Sequence, residues 1–166
     1  MSSVLRLRPY RDSDFEAFVR AQSHAFAVLA KSSYSASELA ALADSRHSPE
    51  RRAEMLQIDE WVAESDGRIV GAAGQWPEPS AEQTARIRRV FVDPEHAGTG
   101  LGRRLVEDAE ARAGRAGNVR LVVCASLNAV PFYEQLGYSR DRPEVRDYAG
   151  TRVPFHWMQK ALGRRL

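Results

Sequence analysis

The chain has almost no cysteine. Cys124 stands alone among 166 residues, so no internal disulfide can form and a cytoplasmic setting is the expectation. It lies in an apolar stretch beside no evident base, and reads as packing rather than as a nucleophile. Lysine is nearly as scarce: of 24 basic residues only Lys31 and Lys160 are lysines, and the rest are arginines. The formal charge of +2 is too small to imply nucleic acid, and no recognition motif for it appears. No apolar run approaches the roughly 20 residues that span a bilayer, so no membrane partner is expected. Met1 to Arg6 lack the apolar core of a signal peptide. His24, His47, His96 and His156 show no metal-ligand spacing, and no metal is expected.

What is present suits a single domain over residues 1–166, long enough to bury a core. Val4 to Arg8 alternates and meets Pro9, as a first strand would. Asp12 or Ser13 can cap a helix in which Phe15, Phe18, Val19, Gln22 and Phe26 share a face. Further helices are expected near Ser35 or Ser37 and from Pro49 to Met55. Trp61 to Ala63 and Ile69 to Gln75 read as strands joined by the Ser65-Asp66-Gly67 turn. Thr84 to Val92 is another strand, but its apolar phase switches from Ala85 and Ile87 to Val90 and Val92. Such a switch implies burial on both faces or a bulge. A helix follows with Leu101, Leu105, Ala109 and Ala113 on one stripe, ended by Gly114 and Gly117. Val119 to Ala125 reads as a central strand, and Asn128 to Leu136 as a short helix stopped by Gly137. After Tyr138 to Arg140 a polar excursion through Pro143 to Asp147 is expected, then a last strand from Arg152 to Ala161. The order describes an α/β mixed sheet, with a right-handed parallel crossover around the Leu101 helix.

The most informative stretch lies between strand and helix, at Ala97-Gly98-Thr99-Gly100-Leu101-Gly102-Arg103. Glycines let backbone N–H groups face outward, and the helix start adds free amides and the positive end of its dipole. That combination suits a phosphate or pyrophosphate. The spacing is not the dinucleotide fingerprint, and no Lys-Ser or Lys-Thr follows to make a P-loop. Arg86, Arg88, Arg89, Arg103 and Arg104 cluster around it in sequence, and guanidinium forks suit phosphate oxygens.

With Val92-Asp93-Pro94 before it, this loop is similar to the Q/R-x-x-G-x-G/A motif of the GNAT superfamily of acyl-CoA N-acyltransferases. Asn128-Ala129-Val130-Pro131-Phe132-Tyr133-Glu134-Gln135-Leu136-Gly137-Tyr138 resembles that family's second motif, and Pro154 to Lys160 its closing strand. The resemblance runs from Leu5 to about Leu162. It implies a mixed, mostly antiparallel sheet of about seven strands flanked by helices, with a central parallel β-α-β unit. It also implies an acetyl-CoA-dependent N-acetyltransferase, with acetyl-CoA as co-substrate and a primary amine of a small molecule or peptide as acceptor. The pyrophosphate would sit on the amides of Gly98, Thr99, Gly100, Leu101, Gly102 and Arg103. The pantetheine arm would pair with Val90, Phe91 and Val92.

Two positions depart from the family pattern. Ala97 replaces the usual Gln or Arg, which removes a side-chain contact but no backbone amide. Ser126 stands where many members carry an asparagine that pairs with the cofactor arm, and Asn128, two residues on, either serves that arm or caps the helix.

Acetyl transfer poses two proton problems. An alkylammonium has a pKa of about 10.4, so little amine is neutral at neutral pH; a departing thiolate, pKa about 8.5, needs a proton. By resemblance Tyr133 is the general acid, and Glu82 is a candidate base, with Glu78 able to act through a water. The Val92 amide would hold the oxyanion. Trp76, Phe26 and Tyr34 could wall the acceptor. A catalytically silent acyl-CoA-binding sensor is the alternative. The oligomeric state stays open, a homodimer being the general prior.

Overall fold

The computed structural model describes residues 3–163. Strand β1 (Leu5–Pro9) leads through a tight turn to helix α1 (Phe15–Leu29). The turn ends on Asp14, whose carboxylate accepts from the Arg11 N–H at 2.8 Å and from the Arg8 guanidinium at 2.8 Å. That clamp moves the helix start past the expected Asp12 or Ser13. Helix α2 (Ala36–Ser45) begins on a capping box: Ser35 Oγ accepts from the Glu38 N–H at 3.2 Å, and Glu38 accepts from the Ser35 N–H at 2.8 Å. Helix α3 (Pro49–Met55) has the expected bounds, with Ser48 as its cap and Pro49 in its first turn.

Strands β2 (Asp59–Ser65) and β3 (Arg68–Pro77) form the expected hairpin on Asp66 and Gly67, both at positive φ, as a type I′ turn requires. Strand β4 (Thr84–Val92) precedes the glycine loop and helix α4 (Leu101–Arg115). Gly114 lies inside α4, and the helix stops only before Gly117, at φ +92°. Strand β5 (Arg120–Ser126) and helix α5 (Val130–Gln135) follow. The expected polar excursion is instead a strand, β6 (Ser139–Tyr148), hairpinned to β7 (Thr151–Ala161). It escapes a periodicity reading because it is the sheet edge: most of its residues are exposed, so no apolar alternation marks it.

The seven strands lie in the order β1-β2-β3-β4-β5-β7-β6. Only β4 and β5 run parallel, and every other pair is antiparallel. Helices cover both faces. The α4 stripe of Leu101, Leu105, Ala109 and Ala113 packs with Tyr133 of α5 on Ala63, Val70, Ile87 and Leu121. Phe18 and Ala25 of α1, with Met55 of α3, pack on Val62, Ala72 and Phe91 on the other side. α2 joins the β7 end through Leu42, Val153 and Phe155. Among the described residues no helix is long and apolar enough to cross a membrane.

Candidate active site

The site begins as a fault in the sheet. The β4–β5 ladder runs from Thr84↔Arg120 to Ile87↔Val123 and ends there. Beyond it the strands part. The cause lies in β4: between Gly74↔Arg88 and Ala72↔Phe91, β4 advances three residues while β3 advances two. The extra residue is a bulge, and Arg89 takes it up at φ +53°. The phase switch read in the sequence is this bulge: Ala85 and Ile87 before it, and Val90 and Val92 after it, all pack on the α4 side. The Asp93 N–H donates to the Val70 carbonyl at 2.8 Å, so alternation along the strand turns the Val92 N–H away from β3 and into the gap.

The gap opens into a cleft of about 640 Å³. At one end stands the glycine loop. Gly98 (φ +75°) and Gly100 (φ +87°) occupy the left-handed region, and a Cβ at either would meet nothing within 4 Å. These glycines are therefore required by conformation and leave the space outside them open. Thr99 Oγ1 donates to the His96 carbonyl at 2.6 Å and ties the loop down. The Arg104 N–H makes a bond to the Gly100 carbonyl at 3.1 Å, which leaves the amides of Leu101, Gly102 and Arg103 outside the helical ladder. At Gly102 a Cβ would press on Phe132 at 3.2 Å, so the loop sits close against α5.

Tyr133 is buried on α5 and borders the cleft, its ring packed edge-on against Phe132 at 5.1 Å and Tyr138 at 5.3 Å. Among the described residues its hydroxyl has no hydrogen-bond partner. Burial, with the negative charge of Glu110 behind it, pushes its pKa up. Glu110 itself is held by Lys160 at 2.9 Å and by the Tyr138 hydroxyl at 3.1 Å. Ser126 and Asn128 border the same cleft. Asn128 caps no helix: neither the short turn Leu127–Ala129 nor α5 has a side-chain cap. Its Oδ1 is buried and has no partner among the described residues, so it serves as no helix cap.

Other sequence candidates lie elsewhere. Glu82 is exposed, just before Thr84, at the end of β4 where the β4–β5 ladder is closed, and it does not line the cleft. Glu78 is pinned by Arg86 at 2.7 Å. The Tyr34 hydroxyl donates to the Pro154 carbonyl at 2.7 Å and accepts from the Leu127 N–H at 2.9 Å, a structural tie rather than a wall. Trp76 lies outside the lining, whereas Phe26 is part of it. Cys124 borders the cleft, and burial pushes its thiol pKa up. Of the arginines near the glycine loop in sequence, Arg86, Arg88, Arg89 and Arg103 line the cleft, but each has a carboxylate partner: Arg86 pairs with Glu78 at 2.7 Å, Arg103 with Glu107 at 3.0 Å, and Arg88 and Arg89 with Glu54 at 2.6 and 2.7 Å. Arg46, Arg51 and Arg146, which join Arg88 and Arg89 in the lining, carry no local sequence signal, because three helices and a hairpin separate them along the chain.

A split between two parallel strands, glycine amides at its mouth and a tyrosine at its side form one coherent arrangement. The family model for the acetyltransferase (GNAT) domain matches residues 30–162. The chain belongs to the GNAT acetyltransferase family. This GNAT chain is 30% identical over 146 residues to a glucosamine 6-phosphate N-acetyltransferase of Trypanosoma brucei brucei, covering 86% of this chain and 94% of that one. Its fold is shared with a GCN5-related N-acetyltransferase from Rhodopseudomonas palustris, at TM-score 0.84 and 24% identity over 98% of this chain and 99% of that one. It is shared also with the PaiA N-acetyltransferase of Thermoplasma acidophilum in complex with coenzyme A, at TM-score 0.73 and 18% identity over 97% and 99% of the two chains. The protein is an N-acetyltransferase with a seven-stranded, mostly antiparallel sheet.

Proposed function

We propose that this GNAT protein moves an acetyl group from acetyl-CoA to a primary amine by direct attack, with both reactants held in the one cleft. The supporting observation is that the free β4 edge, the first turn of α4 with its unladdered amides, and Tyr133 all border that cleft. The Trypanosoma relative is named for an amino-sugar acceptor, and the Thermoplasma neighbour is bound to coenzyme A.

Bound acetyl-CoA would supply a thioester carbonyl. The amides from Gly98 to Arg103 would hold its pyrophosphate, at the positive end of α4. The edge at Val90 to Val92 would pair with its amide-bearing arm. Asn128, whose Oδ1 has no partner among the described residues, and Ser126 both line the cleft and would serve that arm. The Val92 N–H would stabilise the developing oxyanion. Tyr133 would give its proton to the departing thiolate, and its raised pKa keeps that proton in place through the alkaline range where amines become neutral. No carboxylate lines the cleft among the described residues, so the amine's proton is assigned to water rather than to Glu82. Incubation with acetyl-CoA and a panel of primary amines, read as free thiol, should show amine-dependent CoA release. Tight coenzyme binding with no release across the panel would favour a silent acyl-CoA sensor instead.

A further inference from the structure

Among the described residues, seven arginines line the cleft and no aspartate or glutamate does. They are not evenly placed. In the half built by α1, α2, α3 and the β4 bulge lie Arg46, Arg51, Arg88 and Arg89. Their one carboxylate partner among the described residues is Glu54, which takes both Arg88 and Arg89. Arg46 is buried, stacked over Phe26 at 4.5 Å and donating to Ser23 Oγ at 3.2 Å, with no carboxylate paired to it among the described residues. Among the described residues Arg51 forms no ion pair, and Glu54 acts on it only at a distance. Arg89 is buried, and among the described residues its Nε and Nη1 have no hydrogen-bond partner.

Burying guanidinium groups without counter-charge is costly. Desolvation, added to by their mutual repulsion, lowers the pKa of Arg46 to about 10 and of Arg51 to about 9, and both remain charged at neutral pH. Guanidinium groups that border a cavity with too little counter-charge mark a place for an acceptor-rich anion. The nearby buried carboxyl does not fill that need. Glu60 is fully enclosed on β2, its oxygens lack hydrogen bonds, and burial raises its pKa well above the usual value.

We propose that the acceptor is an amine that also carries a phosphate, and that Arg46, Arg51 and Arg89 hold that phosphate. Four guanidinium groups against the single Glu54 leave an excess of three positive charges. A phosphate monoester carries about −1.5 to −2 charge and three strong acceptor oxygens, whereas a carboxylate offers one charge and two oxygens. The same field excludes polyamines and other polycations. It also favours the neutral form of the acceptor amine, since an ammonium among arginines is penalised. A cleft without a carboxylate base thereby still raises the fraction of amine able to attack. This inference rests on the transfer reading above.

Matched pairs test it: glucosamine 6-phosphate against glucosamine, and phosphoethanolamine against ethanolamine, each with saturating acetyl-CoA. The phosphorylated member should show kcat/KM at least tenfold higher. Arg51→Gln should raise KM for that member by about tenfold or more with little change in kcat or in KM for acetyl-CoA, and Arg51→Lys should recover part of the loss. Inorganic phosphate should compete with the amine and not with acetyl-CoA. Equal or better turnover of the unphosphorylated members, or preference for carboxylate-bearing amines such as free amino acids, overturns the phosphate site and leaves the transferase reading intact. The converse separates the two claims. If no amine releases CoA, yet phosphoethanolamine raises the Tm of the CoA-loaded protein and Arg51→Gln abolishes the shift, the phosphate site stands and transfer fails. No release and no shift sinks both.

Discussion

Replacing Tyr133 by phenylalanine isolates one oxygen atom. The ring keeps its edge-on packing against Phe132 and Tyr138, at 5.1 and 5.3 Å, so no cavity opens. The hydroxyl has no hydrogen-bond partner among the described residues, so its removal orphans nothing. Stability should therefore change by no more than about 0.5 kcal/mol. Coenzyme affinity should also hold, because the amides before α4 and the β4 edge are untouched. Catalysis should not hold. General acid assistance contributes typically 100- to 10,000-fold, about 3–5 kcal/mol of barrier at 1.36 kcal/mol per tenfold. The assay is CoA thiol release at saturating acetyl-CoA and amine, with coenzyme Kd measured separately and Tm as a folding control. The pH profile adds a check. Burial and the Glu110 charge raise the Tyr133 pKa, so the proton is lost only above an ordinary tyrosine's range. Wild-type kcat at saturating amine and acetyl-CoA should then show no fall below about pH 10. A Tyr133→Phe enzyme within about threefold of wild-type kcat refutes the acid role; a matching fall in coenzyme affinity would make the hydroxyl a binding group instead.

Gly100→Ala places an L residue at φ +87° in open space, so the cost is conformational: about 1–2 kcal/mol, read as a Tm lower by a few degrees, with weaker coenzyme binding by calorimetry. Glu60→Gln should stabilise the fold in a pH-dependent way. Below the carboxyl's ordinary pKa of 4.5 both states are protonated and the variant gains little; as pH rises above it the wild type loses stability, because its raised folded pKa keeps the native state holding a proton the unfolded chain gives up. Thermal melts showing an equal gain at pH 4 and pH 7 would contradict this. Glu54→Gln removes the carboxylate shared by Arg88 and Arg89, so it should lower Tm while tightening the binding of a phosphorylated amine; weaker binding would mean that Glu54 is needed to orient the arginines rather than opposing the anion.

Much of this architecture was legible because local chemistry set it. Pro49 behind Ser48, the Asp66-Gly67 turn and the stripe from Leu101 to Ala113 each carry their own signal, and each forms the expected element. The glycine-loop end of the cleft was legible for the same reason: the loop, the strand before it and the Tyr133 helix are each a contiguous segment. Two kinds of feature escaped. The edge strand β6 has no buried face to imprint a period, so its charged residues read as a loop. The arginine-lined half of the cleft is assembled from residues distant in sequence: Glu54 reaches Arg89 across 35 positions, and Arg46 reaches Ser23 across 23. Glu82 was a natural candidate by position near β4, but it precedes the strand's closed end, and the cleft lies at the other.

One backbone feature joins the two halves. In a regular strand, consecutive side chains point to opposite faces, so Arg88 and Arg89 could not both meet one carboxylate. The bulge breaks that alternation: with Arg89 at φ +53°, both guanidinium groups reach Glu54 on α3. The same extra residue ends the β4–β5 ladder after Ile87 and restores the α4-facing phase at Val90 and Val92. A single inserted position thus frees the strand edge suited to the coenzyme arm and gathers the arginines suited to an anionic acceptor. The left-handed conformation at a non-glycine residue costs roughly 1–2 kcal/mol. It is retained where two independent features of the cleft depend on it, which is where strain is expected to persist.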